Sequence, residues 1–340
     1  MKRIVILGST GSIGRSAVEI IERAAEDFEV VGLAAGRNVD ELGRQLELFP
    51  RARFAMRDAS ALSLLIEENN SFRDRQIGYG MEAIEALIAE TSPDLVINAL
   101  VGISGLIPTL KALELECCVA LANKESLVTA GELIAGIISK RPDLIIPVDS
   151  EHFSISRCLY GYSSDAVEIT LTASGGPFYE REFSELQNVS IEEVLDHPTW
   201  KMGRKVTVDS AQLLNKGLEV IEAHWLFNFP YSAIKVVIHP QSFVHSIVRL
   251  RDGSLLAHIG PADMRLSIMN ALYFPEIREF PWKSLELEEM GRIEFAPLRR
   301  DRFPAFRLAL EAAEAGGTAT AVLNAADEIA VEAFLAGKIG

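Results

Sequence analysis

Residues 3–27 read RIVILGSTGSIGRSAVEIIERAAED, and this stretch decides the fold class. The run RIVILG (3–8) is apolar without alternation, as in a short strand covered on both faces. RSAVEIIERAAED (15–27) carries its apolar residues at helical spacing. Between them stands Gly8-Ser9-Thr10-Gly11-Ser12-Ile13-Gly14. Glycines there let the backbone turn tightly and approach a pyrophosphate, whose charge a helix N-terminus attracts. A plain tight βα turn would use the same residues. Their place between the first strand and the first helix favours a dinucleotide.

Working outward, the alternation continues to about residue 149. EVVGLAAG (29–36), DLVINAL (94–100), CVALAN (118–123) and DLIIPV (143–148) read as strands. Residues 41–49, 60–68, 81–90, 106–116 and 129–140 read as helices. Strands separated by helices make βαβ units and a parallel sheet. Beyond 150 the pattern changes to VEITLTAS (167–174), IKVVIHP (234–240), FVHSIVRL (243–250) and SLLAHIG (254–260), with a hairpin signal at Asp252-Gly253. VDSAQLLNKGLEVIEAHWLF (208–227) reads as one long helix. The stretch 275–304 is rich in proline and charge, and two helices split by Gly316-Gly317 follow. The expectation is an α/β chain: an N-terminal Rossmann-like domain (1–149), a central α+β catalytic and dimerisation domain with its own sheet (150–273), a linker (274–304) and a small C-terminal helical domain (305–340).

The 340 residues include 49% hydrophobic side chains and carry a net charge of -15. That charge argues against general binding to nucleic acid or anionic membranes, and an anionic substrate would need a local positive patch. Cys117, Cys118 and Cys158 form no disulfide framework, which suits a reducing cytoplasm. Met1 runs straight into a strand, so no signal peptide and no membrane span is expected.

Strand two ends in Gly36-Arg37-Asn38 rather than in the acidic residue usual for NAD, so a 2′-phosphate and NADPH are expected. Asn123-Lys124-Glu125 and Asp149-Ser150-Glu151-His152 follow two later strands, at the carboxyl ends where such sheets place ligands. Asp149 and Glu151 are two apart and would face the same way in extended chain. Two such carboxylates repel unless a cation or proton lies between them, and oxygen ligands suit Mg²⁺ or Mn²⁺. A helix cap or a salt-bridge pair remains open. On the long helix Gln212, Asn215, Lys216, Glu219 and Glu222 form a polar stripe, either a solvated face or a phosphate and metal site. Thr172-Ala173-Ser174-Gly175-Gly176-Pro177 suits an oxyanion nest or an ordinary glycine turn. The loop His197-Pro198-Thr199-Trp200-Lys201-Met202-Gly203 is either core-packed or a lid.

GSTGSIG, AGRN, ANKE, VDSEH, TASGGPF, HPTWKMG and VDSAQLLNKGLE, in that order, resemble the 1-deoxy-D-xylulose 5-phosphate reductoisomerase family, from Lys2 to about Glu332. The resemblance implies conversion of that sugar phosphate to 2-C-methyl-D-erythritol 4-phosphate in the non-mevalonate route to isoprenoids. It implies NADPH, one divalent cation (Mg²⁺, Mn²⁺ or Co²⁺) and a cytoplasmic homodimer. By the same resemblance Asp149, Glu151 and Glu219 match metal ligands. Ser174, Ser210, Asn215 and Lys216 match the phosphate site, with His197 close by. Lys124 and Ser150 match substrate contacts, and with His197 and the three carboxylates Lys124 makes up the implied catalytic set. Thr10, Gly11, Ser12, Ile13, Gly36, Arg37, Asn38, Asn123, Glu125 and Gly203 match NADPH contacts, and Trp200 and Met202 a mobile flap. Two features depart from the pattern: Arg37 stands where lysine is common, and family members usually continue beyond the equivalent of Gly340. A different NADPH dehydrogenase without a metal and a non-catalytic nucleotide sensor are the rival readings.

Overall fold

The computed structural model describes residues 1–182, 185–186 and 189–340, and these form two compact units. The first comprises Met1–Ser126, Gly136–Val148 and Met264–Glu279. Its strands are β1 (Lys2–Leu7), β2 (Phe28–Ala35), β3 (Arg53–Met56), β4 (Gln76–Tyr79), β5 (Leu95–Asn98), β6 (Cys118–Leu121) and β7 (Ile145–Pro147). They make one parallel sheet in the order β4-β3-β2-β1-β5-β6-β7. Ile4, Val5, Ile6 and Leu7 are wholly buried, which explains the unbroken apolar run of β1. Chain order reverses between β1 and β5, the switch point at which ligands bind in such sheets. Strands β3 and β4 escape sequence reading because four residues each are too few to show a period.

The helix Met264–Tyr273, also unforeseen, packs on the helix Ser12–Arg23. Arg265 pairs with Glu19 at 3.1 Å, and Lys2 Nζ donates to the Leu272 carbonyl at 2.8 Å. The first unit is therefore discontinuous in sequence. Residues 264–273 lie in it rather than with the expected 150–273 domain.

The second unit comprises Leu127–Ala135, Asp149–Asp263 and Phe280–Gly340. Its sheet is β8 (Ala166–Ala173), β9 (Ile234–Ile238), β10 (Val244–Leu250), β11 (Leu255–Ile259) and β12 (Ala296–Pro297), in the order β11-β10-β8-β9-β12. All pairs are antiparallel except β8 with β9. The β10–β11 hairpin turns at Asp252-Gly253, where Asp252 Oδ1 accepts from Ser254 N at 2.9 Å. The stretch read as a linker supplies β12, so it is partly sheet. The C-terminal helices Pro304–Ala315 and Ala319–Leu335 share the unit's core. Phe303 and Phe306 lie in one buried cluster with Ile169, Leu171, Leu213 and Val220. A Cβ on Gly217 would lie 2.5 Å from the Ala309 Cβ, so the glycine permits close helix approach. These shared contacts place 305–340 in the larger unit rather than in a domain of its own.

The long helix expected over 208–227 is two helices, Arg204–Ala211 and Leu214–Phe227. Leu213 breaks it with a left-handed φ of 55°, a conformation costly for a leucine. No glycine or proline marks the break. Leu213 is buried in the core, and tertiary packing holds the turn.

Candidate active site

In the first unit the glycine turn is dictated by space. Gly8 has φ +79°, and a Cβ there would stand 2.5 Å from the Ala99 carbonyl oxygen after β5. A Cβ on Gly14 would stand 2.3 Å from the Gly8 oxygen. Gly11 begins the helix Ser12–Arg23 with no side-chain cap, and Gly11 and Ser12 are exposed at its N-terminus. Unsatisfied N–H groups at a helix start, reached through a turn without Cβ atoms, fit a pyrophosphate. Thr10 and Ile13 flank this start. Gln45 Nε2, wholly buried, donates to the Ser9 carbonyl at 3.0 Å and braces the turn from beneath. Sequence reading missed it, because a glutamine inside a helix carries no signal.

Gly36, Arg37 and Asn38 are exposed at the end of β2. Arg37 Nε donates to Asp58 Oδ2 at 2.8 Å, with its side chain 84% exposed. Asn38 caps the helix Val39–Leu48 by accepting from Glu41 N at 3.1 Å. Asn123 is buried, and its amide donates to the Leu100 and Gly102 carbonyls at 2.8 Å and to Glu125 at 3.1 Å. Its oxygen accepts from Ser126 N at 3.1 Å. Asn123 and Glu125 thus shape the turn after β5 from within, and Lys124 opens the helix Lys124–Ile138 with only 7% exposure.

The carboxylates lie in the second unit. Asp149 and Glu151 do not stand on extended chain. The helix Ser150–Leu159 begins at once, with Asp149 at its N-cap, making no side-chain cap bond, and Glu151 in its first turn. Glu219 comes from the helix Leu214–Phe227, and one ligand oxygen from each of the three lies within 4.8 Å of the others. His152 joins the two helices: Nε2 meets the Glu219 carbonyl at 3.0 Å, and Nδ1 lies 3.3 Å from Glu222 Oε2. Ser246 Oγ donates to the Glu151 carbonyl at 2.9 Å. The stripe read as polar is mostly interior: Lys216, Glu219 and Glu222 are 4%, 1% and 0% exposed. Gln212 is exposed and outside the helix.

Lys216 Nζ donates to Glu151 Oε1 at 2.5 Å and also to Glu219. Burial would lower its pKa, but those two carboxylates outweigh burial and raise it. Burial pushes Glu151 up to about 8, with Glu219 and Asp149 adding to the rise and Lys216 opposing it. Were all three carboxylates ionised, the one ammonium would offset only one of their charges, which, on top of burial, is why Glu151 is held protonated so readily. An all-oxygen, over-charged and half-enclosed set of this kind fits a hard divalent cation.

On the same unit Ser174 Oγ lies 3.2 Å from His197 Nε2 and accepts from Gly176 N at 3.2 Å. His197 Nδ1 accepts from Thr199 N and Trp200 N at 3.2 and 3.0 Å, so in the neutral ring Nε2 carries the proton. Burial holds that ring's pKa down. A Cβ on Gly176 would lie 2.7 Å from the Ser210 carbonyl oxygen, so the Ser174 and Ser210 segments touch. Asn215 Nδ2 donates to Glu219 Oε1, and its own Oδ1 has no hydrogen-bond partner among the described residues. Trp200 lies 6.0 Å, ring to ring, from His245. Burial takes His245 down to about 4. Met202 is half-buried, and Gly203 starts the helix Arg204–Ala211.

Models of the 1-deoxy-D-xylulose 5-phosphate reductoisomerase family match residues 4–131, its C-terminal domain 145–227, and the DXP reductoisomerase C-terminal domain 259–340. The chain belongs to the 1-deoxy-D-xylulose 5-phosphate reductoisomerase family. It is 46% identical over 341 residues to the reductoisomerase of Pelodictyon phaeoclathratiforme, covering 100% of this chain and 89% of that one. Against the Bacillus subtilis reductoisomerase it is 45% identical over 342 residues, with the same coverage. A crystal structure of DOX-P reductoisomerase in complex with NADPH, fosmidomycin and magnesium superimposes with a TM-score of 0.94 at 37% identity, covering 100% of this chain and 86% of that chain. The Zymomonas mobilis reductoisomerase in complex with NADPH gives 0.90 at 39% identity, covering 100% and 88%. A reductoisomerase is an oxidoreductase, so the chain is an enzyme and the nucleotide-sensor reading falls.

Proposed function

We propose that this chain converts 1-deoxy-D-xylulose 5-phosphate to 2-C-methyl-D-erythritol 4-phosphate, an isoprenoid precursor, using NADPH and one divalent cation. The observation that carries this reading is the convergence of Asp149, Glu151 and Glu219. A dehydrogenase that needs no metal does not call for three carboxylates gathered at one half-enclosed place. The cation, when bound, supplies Lewis-acid polarisation of the substrate's ketone and hydroxyl, and NADPH supplies hydride.

The chain's own residues bind, orient and exclude water. Asp149, Glu151 and Glu219 hold the cation, with Ser150 beside them. His197 through Nε2–H, the Ser174 and Ser210 hydroxyls, Asn215 and Lys216 hold the phosphate, a remote anchor whose binding energy orients the reacting end. Lys216 turns from Glu151 and Glu219 to the phosphate once those carboxylates are otherwise neutralised, which couples cation and substrate binding. Lys124 contacts the substrate. Thr10, Gly11, Ser12 and Ile13 take the pyrophosphate, Gly36, Arg37 and Asn38 the 2′-phosphate end, and Asn123, Glu125 and Gly203 complete the NADPH contacts. Trp200 and Met202 form a flap that keeps water from the reacting atoms.

Two copies pair through the 234–260 strands. Edge strand β11 supports this, with Leu255 and Ile259 54% and 43% exposed. A reducing cytoplasm suits the three free thiols. No helix of the described residues is long and apolar enough to cross a membrane. The test is NADPH oxidation with the sugar phosphate, with and without chelator. Turnover that chelator stops and added Mg²⁺ or Mn²⁺ restores supports the reading, and chelator-resistant turnover overturns it. Light scattering at micromolar concentration checks the dimer.

A further inference from the structure

The helix Arg204–Ala211 has eight residues and follows the flap loop directly. A helix that short is not stable alone, so tertiary partners set its position. Its apolar side packs Val208 and Ala211 against Phe178, Val194 and Val331, the last from the helix Ala319–Leu335. Apolar contact resists separation but is not directional. The directional contacts come from charge. Lys205 Nζ donates to Asp209 Oδ2 at 2.7 Å and to Asp327 Oδ2 at 2.6 Å, 122 residues along the chain. The three side chains are 11%, 2% and 4% exposed.

Asp209 immediately precedes Ser210, and Ser210 is in backbone contact with Gly176 through the close approach described above. Gly176 N–H in turn holds Ser174 Oγ. The ion network thus sits one residue from the point where the two hydroxyl-bearing segments meet.

We propose that Asp327, with Lys205 and Asp209, is a positioning residue for the phosphate subsite, fixing the register of the helix Arg204–Ala211 and so the placing of Ser210 against the Ser174–Gly176 turn. Asp327 does not touch substrate and acts through Ser210. Buried ion networks are poor sources of stability, but in some proteins they fix one arrangement among several, and that is the role assigned to this one. Burial pushes Asp209 up to about 8, with Lys205 opposing and Asp327 reinforcing the rise, so the cluster holds a proton near neutral pH and one ammonium serves both acids. The inference rests on the proposed function in taking Ser210 to face the substrate's phosphate.

The test is a two-by-two set: wild type, Asp327→Asn, Ser210→Ala and the double variant. Asp327→Asn is isosteric and removes the charge, and circular dichroism with thermal melting checks that each variant folds. The expected result is a rise of roughly tenfold in KM for the sugar phosphate, with kcat and the NADPH Kd within about twofold of wild type. In the Ser210→Ala background the same substitution should change KM by less than about twofold, since residues acting through one another are not additive. Equal losses in kcat and in both substrates' KM, an unchanged KM, or full additivity with Ser210→Ala would each overturn the proposal. If Asp327→Asn does not fold, Lys205→Arg, which keeps the charge but alters the geometry, is read in the same way. Absence of turnover in the wild type would count against the proposed function alone. Binding of inorganic phosphate, followed by phosphorus NMR in wild type and Asp327→Asn, then still reads the positioning role: weaker binding in the variant supports it, and equal binding sinks it.

Discussion

The two units build their sites in opposite ways. In the first, the glycine turn proposed to hold the nucleotide is a contiguous seven-residue run, Gly8–Gly14, whose shape is required by backbone contact with Ala99 and with itself. In the second, Asp149, Glu151, Lys216 and Glu219 meet from two helices, and Ser174 meets His197 from a strand end and a loop. The first site is made of backbone donors and absent side chains. The second is made of buried charges that must neutralise one another. A contiguous site of the first kind leans on a few neighbours such as Ala99 and Gln45, whereas one of the second kind depends on every element that delivers a charge.

That contrast can be broken most sharply at the carboxylates. Asp149→Asn or Glu219→Gln should lower turnover by roughly 10²–10³-fold, the scale of losing a preorganised charge-stabilising group, and weaken cation binding. NADPH affinity, measured by fluorescence titration, should stay as in wild type. Activity retained in either variant in the presence of chelator would show that the cluster is structural.

The converse change is Gly14→Ala. Its Cβ would meet the Gly8 oxygen at 2.3 Å, so the turn must open, at a cost of about 1–3 kcal/mol as for overpacking. NADPH binding should be lost while phosphate binding by the second unit persists. Wild-type NADPH affinity would mean the turn is not the nucleotide cradle.

Lys216→Ala should weaken sugar-phosphate binding about tenfold, the scale of one charge-assisted hydrogen bond, and spare NADPH. It also removes the ammonium that Glu151 and Glu219 share, so cation binding, followed by calorimetry, should change with it. A changed cation affinity with an unchanged substrate Kd would confine Lys216 to the carboxylates.

Arg37→Ala should be milder. The side chain is 84% exposed and already bridged to Asp58, and exposed pairs of this type are worth up to about 1 kcal/mol. The NADPH KM should rise several-fold and NADH kinetics should stay nearly constant. Equal effects on both cofactors would exclude contact with the 2′-phosphate.

A test of a different kind is pH dependence. Asp209 is raised in the folded chain to about 8 from an ordinary 3.8. An acid whose folded pKa is raised adds stability below its unfolded pKa, and that stability is lost as pH rises through the folded value. Asp209→Asn cannot ionise, so its melting temperature should gain on wild type as pH rises from about 4 to about 8 and then hold level. Parallel melting curves across that range would mean Asp209 is not held protonated.

Legibility in the sequence followed the same division. The glycine turn, β1, β2 and the strand ends bearing Lys124 and Asp149 could be read directly, because short apolar runs and glycines express local backbone requirements. The motif order also placed the chain in its family. Short strands β3, β4 and β12 carry no period long enough to read, and the returning helix Met264–Tyr273 is only weakly amphipathic, so its pattern does not announce it. The stripe on Leu214–Phe227 was legible as one face but left open between a solvated face and a binding site, since periodicity identifies a face and not what covers it; burial of Lys216, Glu219 and Glu222 shows it is interior.

By itself the sequence determined the parallel α/β half, the glycine turn within it, and which carboxylates and hydroxyls were available for chemistry. Only the tertiary structure decided that Leu213 breaks a helix no local signal breaks, and that Lys216 lies between Glu151 and Glu219. It alone brought Asp327 to Lys205. A turn without side chains is specified by its neighbours in the chain. A buried charge is specified by its partners in space, and those come from wherever the fold delivers them.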